Sequence, residues 1–168
     1  MRTIALLTTG GTIEKTYDEE TGILSNQSSQ VDQMLKRLRL PGLRIQRLNL
    51  MAKDSLEMTD HDREIICKAV ELYMLQELPV ILLHGTDTME HTAEYLHNHL
   101  KCEKPVILTG AMKPFGFEDS DALQNLTEAM VSASILSPGV YIVIHGQVLQ
   151  LPGVKKNKSK KTFEKIEI

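Results

Sequence analysis

Two threonine-bearing turns each follow a short apolar run. Thr9-Gly10-Gly11-Thr12 comes after residues 4–7, and His84-Gly85-Thr86-Asp87-Thr88 comes after residues 80–83. A hydroxyl on each turn, a carboxylate on the second and glycines that let a ligand approach the backbone form a set suited to nucleophilic attack on a small molecule. A threonine hydroxyl attacks well only when a neighbour takes its proton. A third small-residue turn, Thr109-Gly110-Ala111-Met112-Lys113-Pro114, follows another apolar run and offers the Ala111 N–H. In a parallel α/β sheet all three turns lie at the carboxyl edge, in the crevice where strand order reverses. Each also has a plain structural reading. Gly10-Gly11 serves as a tight turn whose hydroxyl satisfies local backbone, and either Asp87 or Thr88 caps the helix that follows. For Thr12 the spacing leaves the two readings level, whereas capping does not require Thr86 and Asp87 together.

The elements that must position these turns alternate in type. Apolar runs predict strands over 3–8, 44–50, 80–83, 105–109 and 139–145, with a hairpin or short extension over 146–153. Helical spacing predicts helices from Val31 to Leu38, from 60 to about 78, over 89–100 and over 121–136. Thr59 is a fitting N-cap for the second, with Asp60, Asp62 and Glu64 early in it. Residues 10–30 form a long, polar, Gly-punctuated stretch, and loops of that length are usually functional; we expect a lid. Strands that read as continuous apolar runs are those of a parallel sheet buried on both faces. The fold class is therefore α/β, a flavodoxin/Rossmann-like parallel sheet of order 2-1-3-4-5 with helices on both faces. The switch point then falls between the first and third strands, with the two threonine turns facing each other across it.

Composition narrows the classes. A chain of 168 residues suits one domain. No apolar run reaches membrane-spanning length, and Ile4–Leu7 is too short for the core of a secretory signal, so a cytoplasmic location is expected. Cys67 and Cys102 are the only cysteines, and Cys67 sits beside Ile65, Ile66 and Ala69 as a reduced core residue. The six histidines are scattered without metal-ligand spacing, and no metal is expected. A net charge of −3 gives no general attraction to nucleic acid or membranes. Lys155, Lys156, Lys158, Lys160, Lys161 and Lys165 read as a solvated tail in which one lysine has a specific task. The Gly-Gly turn lacks both the spacing of a dinucleotide fingerprint and the lysine of a phosphate loop, which puts a nucleotide-binding module last.

Three blocks, Leu7-Thr8-Thr9-Gly10-Gly11-Thr12-Ile13, His84-Gly85-Thr86-Asp87-Thr88-Met89-Glu90 and Gly110-Ala111-Met112-Lys113-Pro114, resemble in content, order and spacing the signature blocks of the bacterial-type L-asparaginases. The resemblance spans nearly the whole chain. It implies hydrolysis of L-asparagine to L-aspartate and ammonia through two acyl-transfer steps, with no cofactor and variable action on glutamine. By position, Thr12 resembles the primary nucleophile and Tyr17 the tyrosine that activates it. Thr86 and Asp87 resemble the second threonine and its acidic neighbour, and Val154-Lys155-Lys156 the block supplying the family's lysine, assigned to Lys156 with Lys155 as competitor. A lysine in a dry pocket can serve as a base, giving a Thr86–Lys156–Asp87 relay in which Asp87 also receives the substrate's α-ammonium. Gly11, Gly85 and Ala111 would line the substrate, with N–H groups near Thr86 and Ala111 receiving the oxyanion.

The resemblance has departures. The long forms place a substrate-carboxylate serine and a glutamine where Ala52 and Lys53 stand here, leaving Asp54 and Ser55 as possible ligands and Lys53 as a partner for the substrate carboxylate. The family's usual second, smaller domain is not represented, so the chain resembles short-chain asparaginases or the N-terminal catalytic domain of a longer enzyme. A homodimer or higher homo-oligomer is expected, since a neighbouring copy would close the crevice. Two alternatives remain: a catalytically silent amino-acid-binding domain, and the amidase module of a tRNA-dependent amidotransferase, which would need RNA-binding domains in addition.

Overall fold

Alternation of buried side chains along the strands divides the interior into two cores. A computed structural model describes residues 1–17, 24–25 and 30–166, with Tyr17, Leu24 and Ser25 described by backbone alone. In chain order the elements are β1 (Arg2–Gly10), β2 (Thr16–Tyr17), β3 (Leu24–Ser25), α1 (Val31–Arg37), β4 (Leu43–Lys53), α2 (Asp60–Met74), β5 (Val80–Leu83), α3 (Met89–His99), β6 (Pro105–Thr109), α4 (Ala122–Ser132), β7 (Gly139–Ile144), β8 (Gln147–Gln150), β9 (Val154–Asn157) and β10 (Thr162–Lys165). Single 3₁₀ turns lie at Thr12–Glu14 and Ser55–Glu57.

The main sheet runs β4-β1-β5-β6-β7-β8, parallel up to β7, with β8 antiparallel at the edge. The expected order 2-1-3-4-5 is found, with β8 as a sixth strand. Ala5, Leu7, Leu82 and Leu108 face α2 and α3, while Ile4, Leu6, Ile81 and Ile107 face α1 and α4. All eight are fully buried, and each of the seven leucines and isoleucines contributes on the order of 2 kcal/mol. The sheet edge is thus held in place by a core separate from the crevice side chains.

Several boundaries differ from the sequence reading. β4 continues to Lys53, where its pairing with β1 shifts register between Thr8 and Gly10. α2 begins with the expected Thr59 cap, which forms a capping box with Asp62, but ends at Met74, and the chain then turns through Glu77 at φ 56°. α4 stops at Ser132. The lysine-rich segment is not a solvated tail: β9 and β10 pair antiparallel, and buried Val154 and Phe163 anchor this ribbon in the α2–α3 core. Two apolar residues outweigh six lysines because the lysine stems can lie along the surface with their heads in water. Of the long loop, 18–23 and 26–29 lie outside the described residues, and the expected lid falls there.

Candidate active site

Glycine packing brings the turns together. Gly10 (φ 95°) and Gly11 (φ 85°) adopt left-handed backbone that disfavours a side chain. A methyl group on Gly11 would lie 2.4 Å from both the Cα and the N of Gly85, and one on Gly10 would lie 2.6 Å from the carbonyl oxygen of Lys53. One on Gly85 would strike Ser55 Oγ at 2.6 Å, and one on Gly110 would meet the carbonyl oxygen of His84 at 2.3 Å. The turns after β1, β5 and β6 and the segment after β4 therefore meet backbone to backbone at the switch point. Glu14, buried behind the first turn, accepts the Gly10 N–H at 2.9 Å. Thr9 donates its hydroxyl to the Leu83 carbonyl at 2.9 Å, which leaves Thr12 as the half-buried hydroxyl of that turn.

Across the crevice, Lys156 Nζ lies 2.8 Å from Thr86 Oγ1 and 2.8 Å from Asp87 Oδ1. β9 carries this lysine to the start of α3, where Glu90 accepts the Lys156 backbone N–H. Lys156 is mostly buried, its side chain 12% exposed, whereas Lys155 is 54% exposed and lies only within 3.7 Å of Glu90. A hydroxyl, an amine and a carboxylate in contact form a path along which a proton can move.

Neither residue considered as a helix cap acts as one. Asp87 turns to Lys156, and Thr88, although at the N-cap position of α3, donates its hydroxyl to the Ser55 carbonyl at 2.7 Å. Lys53 also departs from its expected place. Its ammonium lies 2.8 Å from Asp62, whose carboxyl it holds down at about 2, so it serves the start of α2 and not the crevice. Asp54 pairs with Lys15 at 2.9 Å and accepts the Leu56 N–H; the Lys15 hydrogen bond first, then that N–H, lower its pKa. Of the three candidates in this segment, Ser55 is the buried one against Gly85. The Tyr17 side chain lies outside the described residues, and among the described residues none hydrogen-bonds the Thr12 hydroxyl.

Beneath the second turn His84 is fully buried. Its Nδ1–H donates to the Gly85 carbonyl at 2.7 Å, and in the neutral ring its Nε2 accepts the Thr92 hydroxyl at 2.8 Å. Burial lowers its pKa from 6.5 to about 4. The unfolded chain takes up a proton here that the folded chain refuses, so this contribution is complete above pH 6.5 and is lost as pH falls toward 4. At about 1.4 kcal/mol per unit it amounts to about 3 kcal/mol. Denaturant unfolding at pH 7 and pH 4 should show wild type losing about that much more than His84→Gln; equal losses would refute the assignment.

Sequence reasoning passed over Glu90, Asp121, Asn125 and His145. Asp121 accepts the Met112 N–H and the Lys113 N–H, each at 3.0 Å, and Asn125 donates to the Gly110 carbonyl at 2.9 Å. Asn125 had a readable signal, a polar residue on the apolar stripe of Ala122, Leu126 and Ala129 in α4. Among the described residues, no group of three or more His, Cys, Asp and Glu is arranged to hold a metal ion, and no helix is long and apolar enough to cross a membrane.

A doubly wound domain whose switch-point crevice gathers two threonine turns and a lysine–carboxylate pair defines the class, an α/β domain with a hydroxyl–amine–carboxylate cluster at its carboxyl edge. Residues 3–167 match the family model described as Asparaginase, N-terminal. The chain belongs to the asparaginase family. It is 31% identical over 167 residues to the probable periplasmic L-asparaginase of Haemophilus influenzae, covering 93% of this chain and 46% of that one. It is 29% identical over 157 residues to a glutamyl-tRNA(Gln) amidotransferase component of Methanococcus vannielii, covering 88% of this chain and 35% of the relative. The structure of the thermostable L-asparaginase from Thermococcus kodakarensis superposes with a TM-score of 0.89 at 28% identity, covering 98% of this chain and 51% of that one. The chain spans about half or less of the length of these relatives.

Proposed function

We propose that the chain hydrolyses L-asparagine to L-aspartate and ammonia, with a minor action on glutamine. The observation that carries this reading is the contact of Lys156 Nζ with both Thr86 and Asp87 at 2.8 Å, across from the turn that holds Thr12. Thr12 Oγ bonds to the side-chain amide carbon while its proton passes through the Tyr17 hydroxyl, which accepts it and gives its own to the amide nitrogen. The C–N bond then breaks and the nitrogen leaves as ammonia. Water, relieved of a proton through the Thr86–Lys156–Asp87 relay, cleaves the ester and restores the Thr12 hydroxyl. Asp87, half-exposed with one oxygen on Lys156, receives the α-ammonium, Ser55 and Asp54 border the carboxylate end, and the Ala111 N–H meets the oxyanion. Lys53 has no part in this reading. The working form is a homodimer or higher homo-oligomer, because a neighbouring copy can shield the nucleophile from water; sedimentation at micromolar concentration reads this, and a fully active monomer would overturn it. Two free thiols, Cys67 buried and raised to about 11 by that burial, favour a reducing, cytoplasmic setting.

A coupled ammonia assay with asparagine and glutamine side by side tests the reading. Asparagine should be the better substrate, and Thr12→Ala should abolish its turnover with the fold intact. Binding of asparagine by calorimetry with no ammonia released would mean a silent binding domain. Likeness to the amidotransferase component supports a second reading, an amidase module; ammonia release that starts only when tRNA-binding partner chains are added would favour it.

A further inference from the structure

The turn that carries Ala111 and the ribbon that carries Lys156 reach the site from separate parts of the chain, and one histidine joins them. His145 follows β7 at φ 53°. Its ring stands between Asp121 and Thr162, with Nε2 2.7 Å from Asp121 Oδ2 and Nδ1 2.9 Å from Thr162 Oγ1. A carboxylate only accepts, so the proton sits on Nε2 and Nδ1 accepts the Thr162 hydroxyl. The oxygen of that hydroxyl in turn accepts the Gln147 side-chain N–H at 3.2 Å. Every polar atom of the ring is satisfied in one tautomer, the arrangement by which a histidine is held in a single orientation.

Both neighbours lead into the site. Asp121 accepts from Met112, Lys113 and Asn125, and Asn125 also accepts the His145 N–H at 3.0 Å. The turn that follows Ala111 is thereby held through its backbone. Burial raises the Asp121 pKa, but the Met112 N–H, His145 and the Lys113 N–H outweigh it and keep the carboxyl below its ordinary value. On the other side Thr162 pairs with Asn157 and the next residue, Phe163, pairs with Lys156. One hydrogen-bonded chain therefore runs from the Ala111 turn through Asp121, His145 and Thr162 to the strand that presents the lysine.

We propose that His145 is a positioning residue that holds the Ala111 turn and the Lys156 ribbon in one frame. This rests on the reading in which the Ala111 N–H and Lys156 serve the same reaction. A displacement of about 1 Å between groups that act together costs on the order of a hundredfold in rate; packing of Val154 and Phe163 and the Glu90 contact seat the ribbon on α3, and His145 ties it to the Ala111 turn.

Two substitutions divide the joint. His145→Gln keeps a donor for Asp121 and loses the acceptor for Thr162. His145→Asn tolerates the left-handed backbone, keeps an acceptor for Thr162 and loses the donor for Asp121. Each should lower kcat about tenfold with KM within about threefold and the thermal midpoint nearly unmoved. Thr162→Val supplies a readout that needs no activity. The Met112 and Lys113 amides, which Thr162 does not touch, should exchange about tenfold faster in the full-length chain. Exchange changes confined to β9 and β10, or a kcat within twofold of wild type in both His145 variants, would overturn the proposal. If the wild-type chain releases no ammonia, the functional reading fails and amide exchange still decides this one.

Discussion

Lys156→Met is expected to lower kcat by at least about a thousandfold, while Lys155→Met stays within about threefold of wild type. The two ammonium groups are adjacent in sequence but face different surroundings. Lys156 touches Thr86 Oγ1 and Asp87 Oδ1 at 2.8 Å each and is 12% exposed; Lys155 is 54% exposed and only near Glu90. An exposed pair of that kind is worth under about 1 kcal/mol, whereas removing a positioned base costs about 10²–10⁴ in rate, and a thousandfold loss is about 4 kcal/mol of barrier. Methionine keeps the apolar stem, and Val154 and Phe163 still seat the ribbon, so the thermal midpoint should hardly move. Thr86→Val, which keeps the methyl group that faces Gly110, should cause a similar loss. Because the two act as one unit, the double variant should be little worse than either single one. Losses that multiply, or equal mild effects from both lysines, would remove Lys156 from the relay.

The sheet was legible in the sequence because its strands are buried on both faces and read as unbroken apolar runs, Ile4–Leu7 and Val80–Leu83 most plainly. The turns were legible because Gly10-Gly11 and Gly85 each follow such a run. The ribbon was hidden: its apolar signal is only Val154 and Phe163, set among lysines whose charge argues for solvent. Partners far apart in the chain were hidden too. Nothing local tells Lys53 to choose Asp62 across the start of α2, or tells Thr88 to leave its cap for the Ser55 carbonyl. Asp121 and His145 lie 24 positions apart and meet only once α4 and β7 pack. Local propensity can place a turn, but the partners of its polar atoms follow from tertiary contacts.

Gly11→Ala is expected to disable the site and weaken the fold together, and Gly42→Ala shows why the effect is specific. Both glycines have positive φ, 85° and 76°, which costs an alanine about 1–2 kcal/mol, and Gly11, with ψ 178°, lies in a region essentially reserved for glycine, where the cost is about 1–3 kcal/mol. Around Gly42 nothing lies within 4 Å of an added methyl, whereas at Gly11 that methyl would lie 2.4 Å from the Gly85 Cα and N and 3.1 Å from the His84 carbonyl carbon. All three are backbone atoms of a turn fixed by buried His84, so no side chain can swing away. The two turns must separate, adding overpacking of about 1–3 kcal/mol. Separation also moves Thr12 away from Thr86 and Lys156, and about 1 Å of misplacement costs on the order of a hundredfold. Denaturant unfolding should therefore give a loss of about 2–6 kcal/mol for Gly11→Ala against about 1–2 for Gly42→Ala, with activity of the folded fraction down a hundredfold or more only in the first. If the two variants behaved alike, the close approach at Gly85 would not be what assembles the crevice.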